Sequence, residues 1–147
     1  MEIEYPTIRW SFIYIGLKYD WLTSKEAVNL INANSAKLNC TESFIVEINV
    51  HDDEKDFILE KIKEKESINE SEGITLWQLF YLMKIKVSDK TIKEKLVEIE
   101  SQWARFDYPE EWRDFIYYLP SEYSNSPEDV YLDFINYILR KKKELKY

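Results

Sequence analysis

The sequence predicts an all-α protein, one compact multi-helix domain of about six to eight helices spanning residues 1–147. Three observations predict it. Glycine occurs only as Gly16 and Gly73, and proline only as Pro6, Pro109, Pro120 and Pro127; antiparallel sheets and glycine-rich phosphate loops need more of both. Several segments place apolar residues at three- and four-residue steps behind a capping residue. A chain of 147 residues, 45% hydrophobic and 16% aromatic, can also bury one sizeable core, which excludes intrinsic disorder.

The elements follow in chain order. Residues 7–18 are dense in aromatic and β-branched side chains, so periodicity alone does not separate a buried helix from a strand; a helix is expected, with residues 8–15 open to local β propensity. Thr23 and Glu26 have capping-box spacing, and Ala27, Leu30, Ile31 and Asn34 follow at helical steps, which predicts a helix from about Thr23 to Ala36. Residues 43–50 read locally as β but run into Asp52-Asp53-Glu54, an acidic helix start, and then Phe57, Ile58 and Ile62. Two helices with a break near His51 are expected. The polar stretch 63–73, closed by Gly73, predicts a loop. From Thr75, the residues Leu76, Trp77, Leu79, Phe80, Leu82 and Met83 cover much of a helix circumference, as a buried central helix does.

Ser88 is expected to cap a helix of about 19 residues, roughly 28 Å long, that carries Ile92, Leu96, Ile99 and Trp103. Pro109 fits the first turn of a short helix bearing Trp112, Phe115, Ile116 and Leu119, and Pro120 ends it. Ser126-Pro127 opens the last helix, with Val130, Phe134, Ile135, Ile138 and Leu139 as its apolar stripe. No internal repeat indicates a solenoid.

Composition excludes several classes of function. No apolar run approaches the ~20 residues of a bilayer span, and the first residues lack a basic segment followed by an apolar one. A cytoplasmic protein without a membrane partner is expected. Cys40 and His51 are each the sole residue of their type, which excludes an intramolecular disulfide and the zinc-finger and iron–sulfur classes. No cofactor and no metal are expected. Asp52, Asp56 and Glu60 at four-residue steps would share one helix face and could offer oxygens to a hard cation, but Lys55 and Lys61 suit them equally to surface pairs. His51 reads as a solvated or capping histidine, and Cys40, with no oxyanion motif in its surroundings, as a structural cysteine.

Charge is unevenly distributed. Residues 42–72 hold 11 acids and 4 bases, whereas residues 140–147 hold 5 bases and 1 acid. Such an acidic pole repels phosphate backbones, so nucleic acid is not expected as a partner, and it attracts basic proteins. The plain alternative is a solvated face that keeps the chain soluble. The terminal bases likewise suit the negative end of the last helix. Trp77, Trp103 and Trp112 fall on apolar stripes and are expected in the core. Tyr108, Tyr117, Tyr118 and Tyr123 fall in the short helix and its flanking turns, where tyrosines either pack inward or form contact surfaces.

At residues 106–120, FDYPEEWRDFIYYLP, the chain resembles a bacterial domain-of-unknown-function family of short, acidic, tryptophan-rich helical proteins. The stretch YDWLTSKEAVNLI and the long helix ending in Trp103-Ala104-Arg105-Phe106 extend the resemblance over most of the chain. Such proteins resemble the immunity proteins encoded beside polymorphic secreted toxins. The resemblance implies a non-enzymatic domain that binds and neutralises a cognate toxin, and it carries no catalytic residue. The contact residues expected from charge and aromatic content are Asp52, Asp53, Asp56 and Glu60, with Tyr108, Tyr117, Tyr118 and Tyr123. The alternatives are an adaptor that binds a partner helix in an aromatic groove and a metal-dependent hydrolase with acidic ligands.

Overall fold

The computed structural model describes residues 3–117 and 126–147. Among the described residues all regular structure is helical, in seven α-helices and one 3-10 helix. The chain's contacts gather it into two compact units, one formed by Thr7–Trp77 and the other by Met1–Pro6 with Gln78–Tyr147.

In the unit Thr7–Trp77, helix α1 (Trp10–Lys18) buries every residue except Lys18. It packs on α2 (Ser24–Ala33) and α4 (Lys55–Lys65). A helix that is apolar all round is stable only when enclosed in this way, and enclosure is why residues 10–15, β-branched Ile13 and Ile15 included, are helical while Ile8 and Arg9 precede the helix. The Trp77 indole stacks on Phe12, with ring centroids 4.2 Å apart and planes 2° from parallel. Its Nε1 donates to the Phe12 carbonyl oxygen at 2.7 Å, so the buried polar atom is satisfied. The Thr23 cap forms as expected: Thr23 Oγ1 accepts from the Glu26 amide at 3.1 Å, and Glu26 Oε1 accepts from the Thr23 amide at 2.9 Å. The helix ends earlier than the apolar spacing predicts, because Asn34 turns its amide side chain back onto the Leu30 carbonyl at 2.8 Å.

Residues 43–50 belong to α3 (Glu42–Val50), and the expected break at His51 is present. The loop expected over 63–73 is much shorter. Helix α4 continues to Lys65, and α5 (Glu70–Val87) begins behind Asn69, whose Oδ1 accepts from the Glu72 amide at 3.1 Å. Gly73 thus lies inside a helix, buried against α1, and close approach rather than turning is what requires a glycine here.

The other unit is built from the later turns of α5, α6 (Ile92–Arg105), the 3-10 helix η1 (Glu110–Phe115) and α7 (Pro127–Leu145). Its core gathers Leu82, Leu96, Ile99, Trp112, Phe115 and Phe134. The cap of α6 is Thr91, not Ser88: Thr91 Oγ1 accepts from the Glu94 amide at 3.2 Å, while the Ser88 hydroxyl donates to the Ile85 carbonyl at the end of α5. The helix is therefore 14 residues long rather than about 19. After it, Asp107 and Tyr108 both take left-handed conformations, φ 61° and 57°, and Trp103 Nε1 donates to the Pro109 carbonyl at 2.9 Å across this turn.

Pro109 is the cap of η1 rather than its first residue, and Ile116 follows the helix; the expected roles of Leu119 and Pro120 lie outside the described residues. Ser126 caps α7 with Pro127 in its first turn, as expected. Trp77, Trp103 and Trp112 are all buried. The basic tail is largely engaged: Lys141 pairs with Glu111 at 3.0 Å and Lys142 with Glu4 at 2.7 Å, and the Tyr147 hydroxyl donates to the Glu4 carbonyl at 2.8 Å.

Candidate partner-binding surface

The acidic pole is carried by α3, the turn after it and α4. Thr41 caps α3 by accepting from the Phe44 amide at 3.1 Å, and Ile48 is the buried anchor of that helix. Asn49 and Asn32 exchange side-chain hydrogen bonds of 2.9 and 3.0 Å, which fix α3 to α2. Glu47 pairs with Lys61 at 2.8 Å, which fixes α3 to α4. His51 closes α3, rests its ring on Phe57 with centroids 3.9 Å apart, and pairs through Nδ1 with Glu54. Because Glu54 is turned to His51, the first turn of α4 has no side-chain cap, and negative charge near those amides is electrostatically favoured.

Asp52 and Asp53 lie in the turn before α4, whereas Asp56 and Glu60 lie one turn apart on it. Asp52 is thus off the helix, and the expected three-carboxylate face does not form. Among the described residues, no three His, Cys, Asp or Glu side chains come together in a way that could hold a metal ion. Five acids of this segment form ion pairs, and Glu42 and Glu66 are among those that form none among the described residues. Glu47 and Glu64 pair with Lys61, Glu70 with Lys18, Glu72 with Arg9 and Glu54 with His51. Asp52, Asp53, Asp56 and Glu60 form no ion pair among the described residues, and the last three are exposed.

The aromatic candidates belong to the other unit. Tyr108 is 55% exposed and meets Trp103 edge to face at 4.9 Å, and Tyr117 is 41% exposed. Tyr118 and Tyr123 lie outside the described residues.

Cys40 is half-buried, and burial pushes its thiol pKa up against the opposing charge of Lys65. That shift favours the thiol over the nucleophilic thiolate. A groove of about 490 Å³ opens beside the start of α1, lined by Arg9, Trp10, Leu38, Ile68 and Glu72 among others. Arg9 is turned to Glu72 at 3.5 Å there, and the Ser11 hydroxyl donates to the same carboxylate at 3.1 Å.

Two contact candidates escaped the sequence reading. Val46 and Val50 are 56% and 70% exposed on α3. The segment is helical as expected, and at the helical period placing Phe44, Ile45 and Ile48 inward leaves both valines outside.

No helix among the described residues is long and apolar enough to cross a membrane. No curated protein and no solved structure matches the chain. Residues 1–143 match the family described as "Uncharacterized protein conserved in bacteria (DUF2247)", and the chain belongs to that bacterial family.

Proposed function

We propose that this is a non-enzymatic cytoplasmic binding protein, an immunity protein that neutralises a cognate bacterial toxin by presenting its acidic surface to a basic domain. One observation carries the reading. Among the described residues Asp52, Asp53, Asp56 and Glu60 form no ion pair, whereas Glu47 and Glu64 pair with Lys61, Glu54 with His51 and Lys55 with Asp20. Exposed carboxylates such as Asp53, Asp56 and Glu60 cost the fold little and are available to steer and then pair with a basic partner. Toxins that cleave nucleic acid present basic clefts, and an acidic inhibitor can fill one, as in the charge pairing of barnase with barstar. The resemblance at residues 106–120 supports the same role.

The test is co-expression with the product of the adjacent open reading frame. The tagged chain is expected to co-purify with it and to restore growth to cells in which it is toxic. A neighbourhood of metabolic enzymes, with no toxic product and no co-purification, would overturn the reading.

A further inference from the structure

The outer side of the α3–α4 pair combines acids that form no ion pair among the described residues with an apolar seam. On α3, Ile48 faces the core, Asn49 is tied to α2 and Glu47 to α4. The side left over carries Val46 and Val50, one turn apart. On α4, Ile58 and Ile62 face the core, Lys61 reaches Glu47, and Lys55 reaches Asp20 at 2.9 Å. Asp56 and Glu60 occupy its outer side, with Lys63 following on the same face. Between the two helices lies a groove of about 370 Å³ lined by Ser43, Phe44, Glu47, Lys61, Glu64 and Lys65.

The valines are the informative part. β-Branched residues are weaker helix formers than Ala, Lys or Glu, and a side chain more than half exposed gains little from burial in return. Neither local propensity nor packing of the chain itself accounts for two of them one turn apart. Leu132 and Leu139 of α7 are comparably exposed, but Asp129, Asp133, Arg140 and Lys143 on that helix mix both charge signs and select no partner. Next to Val46 and Val50 the unpaired charge is chiefly negative.

We propose that this face docks an amphipathic helix of the partner, one whose aliphatic stripe covers Val46 and Val50 and whose flanking Lys and Arg residues meet Asp52, Asp53, Asp56 and Glu60. The assignment rests on the protein-binding role above and divides the work within it. The valines supply the desolvated contact that slows dissociation, and the acids speed encounter and set register.

Two synthetic helical peptides of about four turns, matched in Lys and Arg content, serve as probes: one with a Leu stripe, the other with Gln in its place. The Leu peptide is expected to bind about tenfold more tightly, with amide shifts confined to residues 42–60. The double variant Val46→Gln, Val50→Gln keeps the fold, since both positions face water, and is expected to erase the difference between the peptides. The variant D52N/D53N/D56N/E60Q is expected to weaken both peptides and flatten their salt dependence. Equal binding of the two peptides to the native chain, or a difference that survives the valine changes, would overturn the seam while leaving the immunity role intact. A valine-dependent dimer of the protein alone, seen in sedimentation, would assign the face to a second copy instead and overturn the proposal. Failure of the co-expression test alone would remove the toxin partner without touching the peptide result.

Discussion

Gly73 of α5 lies so close to α1 that a β-carbon built on it would stand 2.5 Å from the carbonyl oxygen of Ser11 and 2.5 Å from Cγ1 of Ile15. Backbone cannot rotate away as a side-chain tip can. Gly73→Ala is therefore expected to destabilise the protein despite alanine's better helix propensity. Overpacking of about 1–3 kcal/mol opposes a propensity gain of about 1 kcal/mol, for a net loss near 1 kcal/mol. Urea denaturation measures it; a variant more stable than the native chain would show that α1 yields.

The same glycine shows where sequence reading stopped. A glycine closing a polar stretch has the same local signature whether it ends a loop or lets two helices touch, and only the tertiary contact with Ser11 separates the cases. Thr23 and Ser126 were legible because each cap is a local event, completed within three residues by Glu26 and Asp129. Ser88 and Thr91 competed for one role three residues apart, and Thr91 took it because Glu94 follows at the spacing that Ser88 lacks. Of the site, the acids were legible as composition; Val46 and Val50 were not, because their exposure depends on which sides of that helix are tied to α2 and α4.

The competition between caps is directly testable. Thr91→Ala removes the acceptor for the Glu94 amide and is expected to cost about 1 kcal/mol, whereas Ser88→Ala should cost less than about 0.5 kcal/mol. Thermal or urea denaturation of the two variants side by side checks the order. The reverse order would place the start of α6 at Ser88.

Glu111 predicts one branch of the acid stability. Burial acts to raise its pKa, but the hydrogen bond and charge of Lys141, helped by the Tyr137 hydroxyl at 3.1 Å, hold the carboxyl below its ordinary value. A lowered folded pKa stabilises the protein above the unfolded pKa and ceases to do so as pH falls through the folded one. Glu111→Gln is therefore expected to cost stability at neutral pH, by less than about 1 kcal/mol because the side chain is half exposed. The cost should disappear in acid. Denaturation at pH 7 and pH 3 checks both ends.

Asp133 predicts the opposite sign. Burial, then the charges of Asp114 and Asp129, raise its pKa. A raised acid favours the folded state below its unfolded pKa, and that contribution is lost as pH rises through the folded pKa. At neutral pH the carboxylate is a cost, so Asp133→Asn is expected to stabilise the chain by about 0.5 kcal/mol, a figure reduced for solvent screening. The gain should vanish below about pH 4. A destabilised variant at pH 7 would show that Asp133 accepts a contact worth more than the repulsion it suffers.

Neutralising the acidic face separates its two roles. Asp56 sits in the first turn of α4, where a negative charge favours the helix by about 0.3–1 kcal/mol; mutual repulsion among Asp52, Asp53, Asp56 and Glu60 works the other way. The variant D52N/D53N/D56N/E60Q is thus expected to stay within about 1 kcal/mol of native stability while associating with a basic partner much more slowly at low salt. The gap should narrow as ionic strength rises and the screening length falls to ~8 Å near 0.15 M. Stopped-flow association with the co-purified partner across a salt series gives the slope. If the neutralised chain associates at the native rate in low salt, these carboxylates serve only helix α4 and solubility, and the exposed tyrosines Tyr108 and Tyr117 become the surface to substitute next.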